Sequence, residues 1–408
     1  MYSPASQNGT ASPTAVSAGH GGGGRFSGRV AVVHEWFDGY AGSEQCVEQM
    51  LHLYPQADVF GLVDFLSDKD RHFLQGRPVH TSFIQRLPLA RRKFRAYLPL
   101  MPLAIEQFDL DSYELVLSSN HAVAKGVLTR EDQVHLCYVH TPIRYAWDLY
   151  HRTLKTNGLT RGLKSCVARL GLHYLRIWDF ATASRVNAFA ANSRYVARRI
   201  WKAYRRRARV IYPPVAIDRF QLERNKEDFY LTVSRLVPYK HVDLIVEAFR
   251  RMPEKRLVVI GDGPEYARLA ERAPANVQML GRQPADVVEK HMQSARAFVF
   301  AADEDFGIAP IEVQACGTPV IAYGHGGSTE TVVEGQTGLY FPTQDAGEIV
   351  KAVEAFEACE SQFDYAAIRA HAERFSTERF HQEYTAFVDH HLNKRSRHKR
   401  RVPAGATS

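Results

Sequence analysis

Short apolar runs alternate with stretches of helical spacing along this chain, stop at Tyr212-Pro213-Pro214, and then begin again. No other feature limits the possible folds as much as this restart. RVAVVHEW, DVFGLV, YELVLSS, HLCYVH and NAFAANS precede it, and FYLTVSRL, RLVVIGDG, VQMLGR, RAFVFAA, PVIAYGHGG and TGLYFP follow it. The first of these reads as a buried strand, and Val47, Met50, Leu51 and Tyr54 recur after it at helical spacing. HVDLIVEAFRRM and PADVVEKHMQSA play the same part in the second half. Strand-like and helix-like runs in alternation predict an α/β fold with parallel sheets and crossover helices. At 408 residues the chain has room for two such Rossmann-like βα halves, with a cleft between the carboxyl ends of their strands.

The expected organisation is a flexible extension at residues 1–28, a first half at 29–210 and a second at 211–375. A helix at 376–393 packs on its own half or crosses back, and a basic, disordered tail occupies 394–408. The extension is rich in Gly, Ser, Ala and Thr, carries only Arg25 as a charge, and lacks the apolar core of a signal peptide. Residues 394–401 hold six basic side chains, and without them the net charge of +8 falls to +2, so the body is nearly balanced. No aromatic residue interrupts that basic run, which argues for a solvated end and against a nucleic-acid surface. The five cysteines are odd in number, far apart and free of any C-x-x-C, which suits a reducing cytoplasm and suggests neither a disulfide framework nor a thiolate zinc site. No apolar run approaches the ~18 residues of a membrane span. Residues 82–100 carry Arg86, Arg91, Arg92, Lys93 and Arg95 with no acid, interleaved with Phe83, Leu87, Leu89, Phe94 and Tyr97. Such a mix makes either an anchor on an anionic membrane surface or a solvated helix packed on its own sheet.

Chemistry-bearing residues gather at the ends of the strand-like runs. Arg235 and Lys240 follow FYLTVS, where a guanidinium and an ammonium beside helix amides suit a diphosphate. After RAFVFAA comes EDFGIAPIE, in which Glu304 and Glu312 lie eight positions apart, one at the turn and one about two turns into the following helix. With the amides near Gly307, the two carboxylates can reach different parts of one extended, hydroxyl-rich ligand. Asp303-Glu304-Asp305 is also a D-x-D, a metal-binding pattern. The same pattern recurs at residues 68–70 and 109–111, and Arg235 with Lys240 can supply the positive charge of a metal. His140, directly after HLCYV and before Thr141-Pro142, stands at the cleft mouth unless it is a capped core histidine.

On these residues the chain resembles the retaining glycosyltransferases of family 4, with GT-B architecture, from Arg29 to about His391. The resemblance rests on Glu304 and Glu312 in EDFGIAPIE, on ACGTPVIAYGHGGSTETV after it, and on SRLVPYK. It implies that Arg235 and Lys240 hold the donor diphosphate, and that Glu304 with Phe306, Gly307 and Ile308 fixes the sugar while Glu312 holds the ribose. Gly261 and Gly263 of GDGP and Arg282 of MLGR would line the nucleotide pocket; from the first half, Gly42 would let its loop close on the phosphate, His140 would face the donor sugar near the acceptor, and Ser193 matches a recurring donor-side position. YVHTPIRYAWDLY and RIWKAYRRRARVIYPPV look closest to the bacterial mannosyltransferase-like branch, which implies GDP-mannose as donor. It also implies a polyprenyl-linked saccharide acceptor in exopolysaccharide or O-antigen synthesis, peripheral placement on the inner face of the cytoplasmic membrane, and no metal or other cofactor. The alternatives are the same fold using UDP-glucose or another UDP-sugar, and an inactive membrane-surface scaffold. Nucleic-acid binding ranks behind both.

Overall fold

The computed structural model describes residues 26–401. The expected flexible extension falls outside them as far as Arg25. The first half builds one sheet from β1 (Val30–His34), β2 (Asp58–Gly61), β3 (Val79–Thr81), β4 (Leu115–Asn120), β5 (Val134–Val139), β6 (Ala188–Ala191) and β7 (Ala208–Val210). Its order is β3-β2-β1-β4-β5-β6-β7, with every pairing parallel. Each residue of β1, β4 and β5 is buried, which is why those segments read as continuous apolar runs. The chain order reverses between β1 and β4, opening a crevice beyond their carboxyl ends.

The second half repeats the plan with β8 (Glu227–Val233), β9 (Leu257–Ile260), β10 (Val277–Gly281), β11 (Ala295–Phe300), β12 (Val320–Tyr323) and β13 (Gly338–Phe341), in the order β10-β9-β8-β11-β12-β13. All its pairings are parallel as well, and its switch point lies between β8 and β11. Two helix-flanked parallel sheets meeting at a central cleft constitute the GT-B fold.

After the second half the chain returns to the first. The helix Thr377–Arg401 seats Phe380, Tyr384, Phe387 and Val388 in the core formed by Met50, Tyr138 and the β1 side chains. Val215 donates its N–H to the carbonyl of Phe375 at 3.0 Å, so the outgoing and returning segments run side by side. The helix continues through Arg401, so residues 394–401, expected to be disordered, are helical; good helix formers propagate a helix already anchored by its buried first turns. Residues 402–408 lie outside the described residues.

Residues 82–100 also differ from expectation. Phe94 is buried, and Phe83, Leu87 and Tyr97 pack against the first-half core, so they are not free to enter a lipid surface. The exposed apolar side chains there are Leu89 and Leu100, with Leu103 just beyond. Arg86, Arg91, Arg92, Lys93 and Arg95 are all exposed, and Arg95 pairs with Asp38 at 2.6 Å. Among the described residues no helix is long and apolar enough to cross a membrane.

Candidate functional site

The two carboxyl edges enclose a cleft of about 650 Å³. From the second half, Ser234, Lys240, Asp303 to Ala309 and Glu312 line it; from the first come Gly42, Gln45, His140, Thr141, Arg144, Arg152 and Asn192. The second-half wall begins where β11 ends. The chain runs through Asp303-Glu304-Asp305, turns at Gly307 with φ +85°, and enters the helix Ala309–Ala315 with Pro310 in its first turn. Phe306 anchors the turn from beneath, stacked on Tyr212 at 5.6 Å and edge-on to Phe375. Opposite, the helix Gly42–Leu53 starts with Glu44 accepting the N–H of Ala41 at 3.1 Å, which fixes the first turn at the cleft.

Glu304 pairs with Lys240. Burial pushes the Lys240 ammonium down to about 8. Asp305 pairs with Arg199 and lies 3.8 Å from Arg144, and Asp303 meets His325 at 3.1 Å. The three acidic side chains of the D-x-D segment thus diverge onto separate partners, Lys240, Arg199 and His325, instead of converging on one point, an arrangement that does not fit a metal. Glu312 is half-buried, and burial pushes its carboxyl up to about 7, with Arg219 opposing the shift and Glu289 adding to it.

His140 sits at the end of β5 with its N–H on the Asn120 carbonyl at 2.8 Å. Its Nε2 meets Ser119 Oγ at 2.8 Å, and Ser119 Oγ in turn meets His34 Nδ1 at 3.1 Å. Glu44 closes the row, 3.2 Å from His34 Nε2. Burial pushes His140 down to about 3, helped by His121 and His34, so its imidazole is neutral at ordinary pH. Against burial, Glu44 and Glu35 hold His34 above the usual imidazole value. Among the described residues His34, Glu35 and His121 alone lie close enough to share an ion. One oxygen of Glu35 is already occupied there by the N–H groups of His121, Ala122 and Ala124.

Of the residues singled out from sequence, Lys240, Glu304, His140, Gly42, Phe306, Gly307, Ile308 and Glu312 come together in this cleft. Arg235 and Arg282 are exposed and lie outside its lining. Gly261 and Gly263 stand one layer behind: a Cβ on either would overlap the backbone carbonyl of Ser234 or Leu236, so these glycines let β9 press against the loop that carries Lys240. Ser193 is buried and caps the helix Arg194–Tyr204, its Oγ accepting the Val196 N–H at 3.0 Å.

Sequence reasoning missed the polar bridge between the halves. Arg199 joins Asp148 at 3.0 Å as well as Asp305, and Glu330 accepts the N–H groups of Arg194 and Tyr195, each at 2.8 Å. Ser193 before an apolar-periodic run was a readable cap signal, but nothing local marks Glu330 as its partner across the cleft.

Residues 215–374 match the family described as Glycosyl transferases group 1. A GDP-mannose-dependent alpha-(1-6)-phosphatidylinositol monomannoside mannosyltransferase of Mycolicibacterium smegmatis is 33% identical over 138 residues, 30% of this chain and 36% of that protein. A D-inositol 3-phosphate glycosyltransferase of Mycobacteroides abscessus is 34% identical over 144 residues, 32% of each chain. The chain therefore spans about a third of the length of the curated relatives it matches. Among solved structures, Anabaena HepE in complex with UDP and glucose superposes with a TM-score of 0.62 at 16% identity, over 88% of this chain and 99% of that one. That likeness is one of fold. Residues 215–374 are thus similar to the glycosyl transferases group 1 family, within a chain whose two facing sheets form the GT-B fold.

Proposed function

We propose that this protein transfers a hexosyl unit, with retention, from a nucleoside-diphosphate sugar held by the second half to an acceptor that enters past His140. The observation that carries this reading is the convergence in one cleft of a half-buried ammonium, two carboxylates and the amides after Gly307 with the Gly42 helix start and a neutral imidazole. In this reading Lys240 exchanges Glu304 for diphosphate oxygens and stabilises the charge that develops as the leaving group departs. Glu304, released from Lys240, and the amides from Phe306 to Ile308 hold the sugar hydroxyls, and Glu312 accepts the ribose hydroxyls. Retention without a carboxylate nucleophile follows when the departing diphosphate takes the proton of the incoming hydroxyl on the same face, and the pairing of Asp305 with Arg199 fits the lack of a free nucleophile. His140 faces the donor sugar.

A UDP-hexose is the donor we favour, since HepE of this fold holds UDP and glucose. GDP-mannose is the alternative, supported by the name of the mycolicibacterial relative. The exposed cations of residues 86–95 suit a lipid-linked acceptor met at an anionic membrane surface. A thermal-shift panel of nucleotide sugars tests the donor, because a ligand at 100 times its Kd adds about 2.7 kcal/mol of stability. Proton NMR of the first product formed tests retention. Absence of any shift with UDP-, GDP- and ADP-sugars alike would end the reading.

A further inference from the structure

Behind the first-half wall of the cleft lies a second cavity of about 820 Å³, bounded by Leu98, Met101, Leu154, Leu172 and Leu175. Its polar end holds His121 and Tyr145. The His121 ring lies 6.4 Å from that of His140, which lines the donor cleft. The two spaces also share a wall: Arg144 and Arg152 face the donor cleft, and their neighbours Tyr145 and Thr153 face the cavity.

The outer wall of the cavity is the helix Leu163–Thr182. On its outside, Leu163, Leu170, Tyr174 and Ile177 share one helix face and are 81, 70, 47 and 57% exposed, while Val167, 64% exposed, stands at the rim of the cavity. That is an unpartnered apolar stripe. Residues 149–178 contain Arg152, Lys155, Arg161, Lys164, Arg169 and Arg176 and not one Asp or Glu. A second copy of the chain laid on this stripe by two-fold symmetry would set like charges against each other, whereas an anionic lipid surface complements both the apolar row and its cationic flanks. At the inner face, Gly171 sits mid-helix against the cavity, and a Cβ there would meet nothing within 4 Å. A glycine at such a position costs about 1 kcal/mol of helix propensity relative to alanine. What it provides here is open space.

We propose that this cavity takes the hydrocarbon tail of a phosphate-bearing lipid acceptor, with the helix Leu163–Thr182 resting in the leaflet and the head group delivered past His121 to His140. The inference rests on the transferase reading and adds where the acceptor's tail goes: inside the protein, beside the donor cleft. The chemistry it recognises is one extended apolar chain ending in an anion, and inorganic phosphate alone lacks the chain.

The test uses the full chain and an alkyl phosphate whose tail end carries bromine, held below its micellar concentration. Bromine in the cavity quenches the Trp36 fluorescence, because Trp36 lines it. Saturable quenching is expected with the bromoalkyl phosphate, with no competition from inorganic phosphate. Gly171→Phe fills the cavity from a position with free space and should weaken the probe at least tenfold, with unchanged melting temperature and unchanged UDP binding. In a second variant, Leu163→Ser, Leu170→Ser and Ile177→Ser together, none of them lining the cavity, should release the protein from vesicles of phosphatidylcholine and phosphatidylglycerol yet keep the probe. Wild-type protein that binds UDP but not the probe overturns the tail site and leaves the donor reading standing; loss of UDP binding in the wild type strikes the donor reading alone. Undiminished probe binding by Gly171→Phe overturns the proposal. So does a lipid-free dimer that the triple variant dissolves, since the stripe would then be a self-interface.

Discussion

Replacing Glu312 by glutamine removes a carboxyl that burial has pushed from its ordinary 4.5 up to about 7. A carboxyl with a higher pKa in the folded than in the unfolded chain binds its proton more tightly when folded. Native stability therefore declines as pH rises through the interval from 4.5 to about 7 and is level above it. At ~1.36 kcal/mol per pH unit the full interval is worth about 3 kcal/mol, and the solvent contact that Glu312 keeps in the cleft reduces this to about 1–2 kcal/mol. About a quarter of the penalty has accrued at pH 5 and nearly all of it by pH 8. Glutamine has no such penalty. Glu312→Gln should therefore melt about 2–6 °C above wild type at pH 8, with a gap several times smaller at pH 5, read by calorimetry or circular dichroism. The same change should cost binding: charged acceptors of ribose hydroxyls are worth about 1.5–3 kcal/mol, so UDP should bind roughly 10- to 100-fold more weakly at pH 8. Wild-type affinity should fall as pH drops below about 7, and the variant's should not. An equal melting gap at both pH values would refute the buried carboxyl, and unchanged UDP affinity would refute the ribose role.

Lys240→Ala should lower kcat by about 2–4 kcal/mol, roughly 30- to 1,000-fold, while exposed Arg235 contributes less; equal losses in steady-state kinetics would mean that its loop closes onto the donor. Donor affinity should also decline above about pH 8 as Lys240 loses its proton, giving isothermal titrations a maximum between about 7 and 8. Activity should survive EDTA, and inactivation rescued by Mn²⁺ would revive the D-x-D as a metal site. Gly42→Ala places a Cβ 2.8 Å from Ile308 Cδ1 across the cleft and should raise the donor KM several-fold, an effect that Ile308→Val relieves in a double-mutant cycle.

How much of this was readable from the chain depends on how locally each feature is encoded. Strands buried on both faces announce themselves, so β1, β4 and β5 were legible, and short apolar runs alternating with helical spacing marked all six second-half strands, whereas β3 and β7 are three-residue edge strands with no apolar run to mark them. The clustering of Lys240, Glu304, Glu312 and His140 could be anticipated because each lies on the segment leaving a strand's carboxyl end, and strand ends in this fold share one cleft. Arg199 with Asp305, and Glu330 with the Arg194 helix, are pairs more than a hundred residues apart, and no periodicity encodes them. Residues 82–100 left two readings open because their composition suits both; Phe94, Phe83, Leu87 and Tyr97 turn inside, and Leu89 and Leu100 stay exposed.

The hydrogen bond between Val215 and Phe375 has a bearing on how such a protein could be rebuilt. Since residues 377–401 complete the first core, the second half is topologically an insert whose two ends leave through adjacent doors. A chimera cut only at the Tyr212-Pro213-Pro214 junction would carry away Phe380, Tyr384 and Phe387 and leave the first half with an open apolar trough around Tyr138. Exchanging the second half for another calls instead for two splices, at about 215 and 376, close enough for a few residues to span. The same geometry would let the first half be made alone, as residues 26–214 joined by a short loop to 377–401, with the exposed face of the helix Leu163–Thr182 intact for separate study.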